Sequence, residues 1–220
     1  MAELILFGTG HEAAVAQYYF DCDSNHRVAA FTVDGDRMTG STLLNRPVVA
    51  FEEVAEAFPP DRYKMHVPIA YTRVNKLRAE KYHAAKVMGY ELVTYISSKA
   101  TVWADLQIGD NGFVAEKVVI QPYARIGNDV VINPGSHIGH HTVVMDHCFL
   151  SVNVTILGAV TVEPYCMFGG NATVRNLITV ARESVVGAGA IVLRDTQERG
   201  VYAAYPARLL NKTSDTLEKF

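Results

Sequence analysis

The chain has no apolar run approaching the ~18 residues that cross a bilayer as a helix. Its start, Met1-Ala2-Glu3, leads into a short strand-like segment rather than a basic leader. The expectation is a cytoplasmic protein with no membrane partner. No long basic run accompanies the formal net charge of −3, so the electrostatic footprint of a nucleic-acid binder is missing, and nucleic acid is not expected as a partner. Cysteine is scarce and odd in number: Cys22, Cys148 and Cys166 cannot form a disulfide framework, which suits a reducing compartment. What is present is ample apolar material, 49% of 220 residues, enough for one large core or two small ones.

That apolar material is periodic. Ile96, Val102, Ile108, Val114, Ile120, Ile126, Ile132, Ile138, Val144, Leu150, Ile156, Val162, Phe168, Val174, Val180, Val186 and Val192 lie six residues apart. If such residues filled about a third of positions, chance would give this register with probability on the order of 10⁻⁸. Helices repeat every three or four positions and simple strands every two, so a six-residue period fits neither. It fits a parallel β-helix with one flat side per hexapeptide. Four residues after each anchor come small corner candidates such as Ala124, Ser136, Thr142, Cys148, Cys166 and Ala172. Three hexapeptides close one triangular coil, so residues eighteen apart stack roughly 4.8 Å apart. Cys148 and Cys166 then form a stacked pair of buried thiols, and Asn153 and Asn171 occupy a corner where Asn tolerates left-handed backbone.

Residues 1–95 lack the period and read as a small open α/β domain. Strands are expected over 3–7, 27–33, 67–71 and 90–95, and helices over 11–20 and 75–88. Residues 96–194 form the β-helix and 195–220 a C-terminal tail. Gly8-Thr-Gly10 is a turn opening the first helix, whose N-terminal amides suit a phosphate. His11 can donate to a diphosphate, and Asp34 lies at a strand's C-terminal end where a ribose or base edge belongs; a solvated surface position is the equal alternative for either.

Histidines cluster on the coils: His137, His140, His141 and His147. The cluster fits either a general base or a zinc site. One coil after His140 the same column holds Gly158, which leaves an open slot beside the imidazole and an amide free to donate to an oxyanion. His147 falls in a corner column between Asp129 and Tyr165 and reads as structural, and His137 as a corner cap.

The hexapeptide array, the leading Gly8-Thr-Gly10-His11, the turn Ile138-Gly-His-His141 and the closing Val186-Gly-Ala-Gly189, Gly200-Val-Tyr and Pro206-Ala-Arg208 together resemble the sialic-acid O-acetyltransferase and nucleotide-4-amino-sugar N-acetyltransferase family. The resemblance implies left-handed coiling and a homotrimer, with acetyl-coenzyme A along the coils at subunit boundaries and a nucleotide-linked amino sugar in the N-terminal domain. It assigns His140 as general base and the Gly158 amide as donor to the thioester carbonyl. Gly170 and the turn Gly187-Ala188-Gly189 become the backbone that meets the coenzyme, and Gly8, Gly10, His11 and Asp34 the nucleotide pocket. No metal is implied. Two departures stand out: His141 replaces an acidic residue beside the base, and Phe149 replaces a histidine.

The activity implied is acetyl transfer to the 4-amino group of a 4-amino-4,6-dideoxy sugar nucleotide, with a hydroxyl acceptor as the alternative. A γ-class carbonic anhydrase shares the coil architecture but needs two zinc-binding histidines with four residues between them; His137 and His141 have three. A trimer that binds a nucleotide-sugar without catalysis gains nothing from the Gly158 slot.

Overall fold

The computed structural model describes residues 2–207. Its first layer is a five-stranded sheet in the order β3-β4-β2-β1-β5. These are β1 (Ala2–Phe7), β2 (His26–Val33), β3 (Thr42–Leu43), β4 (Arg46–Ala50) and β5 (Tyr63–His66). All neighbours are parallel except β3 and β4. Leu4, Ile5 and Leu6 are fully buried because both faces of β1 are covered. The helices are α1 (His11–Asp23), the short α2 (Val54–Ala57) and α3 (Lys76–Val87).

The strand expected over 67–71 is absent. β5 ends at His66 because Pro68 has no amide for a ladder, and the following backbone is claimed elsewhere. Val67 donates its amide to Asn111 Oδ1 at 2.8 Å, and the Ile69 and Ala70 carbonyls accept from Arg78 at 3.1 and 2.9 Å. The strand expected over 90–95 shrinks to a single bridge between Leu92 and Met65, after which Tyr95–Ile96 pairs with Phe113–Val114 on the coils.

From there two-residue strands recur once per hexapeptide and form three parallel sheets, five, seven and five strands wide. Arg125 pairs with Val143, Val131 with Phe149 and His137 with Thr155, each eighteen residues on. The anchors from Val114 to Val186 are at most 4% exposed and fuse into one continuous core. Corner residues such as Asn111, Asp129, His147, Asn153 and Asn171 have φ between 52 and 62°. Cys148 and Cys166 are buried and unbridged, and burial pushes the Cys148 thiol well above its ordinary range. Pairing continues past residue 194, since Val201–Tyr202 adds a parallel strand to Val185–Val186, sixteen residues back. Of the C-terminal tail, 208–220, Arg208 included, lies outside the described residues.

The α/β layer is fastened to the coils by a buried ion pair. Arg78 and Asp129 are both fully buried, with Nε 3.1 Å from Oδ1. The guanidinium also donates to the Asp129, His147 and Cys148 carbonyls at 3.1–3.2 Å, so its fork is fully used. Asp129 accepts further from Asn111 Nδ2 at 2.7 Å and His147 Nδ1 at 2.8 Å. His147 stacks on Tyr165 at 4.7 Å and is structural. Removing one member strands the other without solvent. Asp129→Ala is expected to lower stability by about 3–5 kcal/mol, read by urea denaturation; a loss below ~1 kcal/mol would show that the pair is dispensable.

Candidate functional site

The turn after strand His137–Ile138 carries His140 and His141, both exposed. Gly139 lets the chain pass under the next coil: a Cβ there would lie 2.5 Å from the Gly158 nitrogen. His140 is held through its backbone on both sides. Its amide donates to Gln121 Oε1 at 2.9 Å, and its carbonyl accepts from the Ala159 amide at 2.8 Å. Above the ring sits Gly158, where a Cβ would come within 2.7 Å of Cε1 and Nε2. Only glycine leaves that space. Among the described residues no acceptor takes the Gly158 amide hydrogen.

His141 has the left-handed backbone of its corner column, φ 60°, and its side-chain rotamer turns the ring back toward His140. The two Nδ1 atoms are 3.1 Å apart, and the His141 ring lies on Tyr123 at 4.8 Å. For His140 Nε2 to accept a proton, Nδ1 must carry the ring hydrogen, and it then donates to the His141 Nδ1 lone pair. Gln121 and Tyr123 escaped the sequence reading, although the eighteen-residue rule places Tyr123 directly below His141.

The remaining candidates lie elsewhere. His137 is a strand residue paired between Val119 and Thr155, so the expectation of a corner cap is corrected: its position is the outward one before a buried anchor. Gly170 and the 187–189 turn follow strands of a different sheet from His137–Ile138, so within one chain they occupy a different corner from His140. Gly187 faces the Tyr202 carbonyl, 3.1 Å from where its Cβ would be, while Gly189 has φ 69°. Ala188 is exposed. Among the described residues no group of three or more His, Cys, Asp or Glu is placed to hold a metal ion.

On the α/β layer, Gly8 has φ 109° and donates its amide to the Thr32 carbonyl at 2.6 Å. Gly10 caps α1 with open space around it, and His11 is exposed at the helix start. Asp34 is not free as expected: Lys81 Nζ pairs with its carboxylate, and the same ammonium lies 5.3 Å from the Phe7 and Phe51 rings.

A cavity of about 150 Å³ lies between α1, the loop after β5 and the outward face of the coils, with His66 and Phe149 on its wall. His66 is 1% exposed, and its Nδ1 lies 2.8 Å from the Val93 carbonyl. Burial lowers its pKa from 6.5 to about 4, opposed by the Val93 carbonyl and Asp129 and assisted by Arg78.

Residues 123–158 match the family described as bacterial transferase hexapeptide (six repeats). UDP-3-O-acylglucosamine N-acyltransferase of Herminiimonas arsenicoxydans is 32% identical over 106 residues, which is 46% of this chain and 28% of that protein. An acyl-[acyl-carrier-protein]–UDP-N-acetylglucosamine O-acyltransferase of Aliivibrio salmonicida is 28% identical over 95 residues, 40% of this chain and 36% of that one. The chain thus spans about a third of the length of these curated relatives. Among solved structures, a mutant of perosamine N-acetyltransferase from Caulobacter crescentus, in complex with coenzyme A and GDP-perosamine, has a TM-score of 0.83 at 24% identity, covering 96% of this chain and 98% of that one. The acetyltransferase domain of PglB from Neisseria gonorrhoeae has a TM-score of 0.80 at 22% identity, covering 96% and 100%. The chain has the fold of the hexapeptide-repeat acetyltransferases. That fold is an α/β layer followed by a left-handed parallel β-helix, against the usual hand of parallel crossovers.

Because the folded chain refuses the proton on His66 that the unfolded chain accepts, stability falls as pH drops from about 6.5 to about 4 and levels off below. The expected size is about 3 kcal/mol. Urea denaturation between pH 7 and pH 4 checks it: His66→Phe is expected to remove that part of the slope, and parallel profiles would contradict it.

Proposed function

We propose that this protein is an acetyl-coenzyme A-dependent N-acetyltransferase acting on the 4-amino group of a nucleotide-linked 4-amino-4,6-dideoxy sugar. The observation that carries the reading is Gly158 packed against the His140 imidazole, where a Cβ would come within 2.7 Å of the ring, with its amide hydrogen taken by no acceptor among the described residues. The neutral amine attacks the thioester carbonyl carbon, and a C–N bond forms. His140 Nε2 takes the ammonium proton as the tetrahedral intermediate develops. The Gly158 amide donates to the developing oxyanion. Collapse breaks the C–S bond, and the coenzyme thiolate leaves with the proton held by the imidazolium. His141 keeps His140 in the tautomer this needs.

The acceptor's diphosphate fits the open N-terminus of α1 beside Gly8, Gly10 and His11. Asp34 joins that pocket only through the Lys81 pair. The coenzyme runs along backbone at Gly170, Gly187 and Ala188. Since those residues and His140 occupy different corners of the coil stack, a site that uses both is assembled between copies, which supports a homotrimer. The corner column containing His141 also exposes Tyr123 at 70% and Leu177 at 75%, apolar surface that a neighbouring copy would cover.

Incubation with acetyl-coenzyme A and a panel of amino- and hydroxy-sugar nucleotides, followed by thiol release, tests the reading; turnover is expected with a 4-amino sugar, and none with any amino sugar would remove it. His140→Ala is expected to reduce turnover by roughly 10²-fold or more with trimer and coenzyme binding intact. Gly158→Ala places a methyl against the ring and is expected to cost turnover similarly while leaving thermal stability nearly unchanged. A variant with normal activity would reassign the slot.

A further inference from the structure

The cavity beside α1 is mainly apolar, with Val15, Ile69, Phe113, Val131 and Phe149 on its walls. Its other polar side chains are committed or exposed. Tyr19 donates to Glu116 at 2.5 Å, Asn133 Nδ2 donates to the Leu150 carbonyl at 2.9 Å, and Glu12 faces solvent. His66 is the exception. Its Nδ1 faces a carbonyl, so the ring hydrogen belongs there. Nε2 is therefore a buried lone pair, and it has no hydrogen-bond partner. Native structures rarely leave such an acceptor unmet, and an apolar side chain would have filled the site without this penalty.

The occupant must bring a donor, since a carbonyl or carboxylate would oppose the lone pair. It must otherwise be apolar. The cavity also lies close to the phosphate-suited helix start: Gly10 and Val15 are five residues apart on α1, about 7 Å along the axis, the reach of one sugar ring from a diphosphate. We propose that His66 is a specificity-determining residue whose Nε2 accepts a hydrogen bond from one ring hydroxyl of the acceptor sugar, the remaining walls receiving its deoxy and methyl positions. This rests on the nucleotide-sugar reading given above. His66 stays neutral at pH 7, so it remains an acceptor under working conditions.

The test pairs sugar nucleotides that differ by one ring hydroxyl, covering each position, against wild type and His66→Phe. Wild type is expected to favour the hydroxylated member of one pair by roughly five- to tenfold in kcat/KM. His66→Phe is expected to erase that preference with KM for acetyl-coenzyme A unchanged, and His66→Gln, which keeps an acceptor oxygen, to retain part of it. The same preference in wild type and His66→Phe, or no preference in any pair, overturns the proposal. Ring-¹⁵N NMR of the wild type separates this from failure of the catalytic reading and needs no variant to fold. The unprotonated His66 nitrogen is expected to move upfield with a hydroxylated sugar nucleotide but not with the bare nucleoside diphosphate. An unmoved signal with every sugar nucleotide overturns the proposal even where turnover is absent.

Discussion

Closure of the chain on itself every eighteen residues is the constraint from which the rest of this molecule follows. Each two-residue strand pairs in parallel with its equivalents one coil before and after, so the side chains sort into vertical columns. An inward column is filled by anchors and small corner residues, which is why Cys148 and Cys166 are inert packing and not a redox pair. A corner column must turn sharply, so Tyr123, His141, Ala159 and Leu177 all adopt φ near 60°. The geometry of the candidate site is a property of such columns. The imidazole of one coil meets the backbone of the next because the ladder fixes the distance between them, and no flexible loop intervenes.

The second dependence is the Arg78–Asp129 node. A fully buried guanidinium is costly unless every donor is met, and this one meets carbonyls from the loop after β5 and from two coils at once. Asn75 adds bonds to the Tyr165 and Cys166 carbonyls at 3.2 and 3.1 Å. The α/β layer is thus keyed into specific coils, and the cavity wall between them is set by hydrogen bonds, with apolar contact filling in behind. His66 and Phe149 face one cavity because that keying holds the loop against the solenoid.

This division explains what could be read in advance. On the coils, neighbours in space are a fixed offset apart in sequence, so arithmetic alone put Gly158 over His140 and His147 between Asp129 and Tyr165. In the α/β layer no such offset exists. Pro68 ended β5 early, and Arg78 drew off the carbonyls that an extended strand would have used. Asp34 found its partner in Lys81, forty-seven residues away, a pairing that no local pattern announces. The inward turn of His141 was missed for another reason: it depends on a side-chain rotamer, and periodicity constrains only which column a residue occupies.

The same division bears on how the reaction and its selectivity are arranged under the proposed reading. Acyl transfer needs a base, an amide donor and a path for the thioester, and a ladder of identical rungs supplies all three from backbone and one imidazole pair. Acceptor choice needs chemical variety at short range, which a repeat cannot easily supply because each of its positions also serves a column. A buried acceptor atom such as His66 Nε2 is tolerable only where a non-repeating layer surrounds it, since inside the coil core the same lone pair would be stacked against apolar neighbours above and below. Under the proposed reading, selectivity belongs to the joint between the layers, where the keying by Arg78 supplies rigidity and the loop after β5 supplies variety.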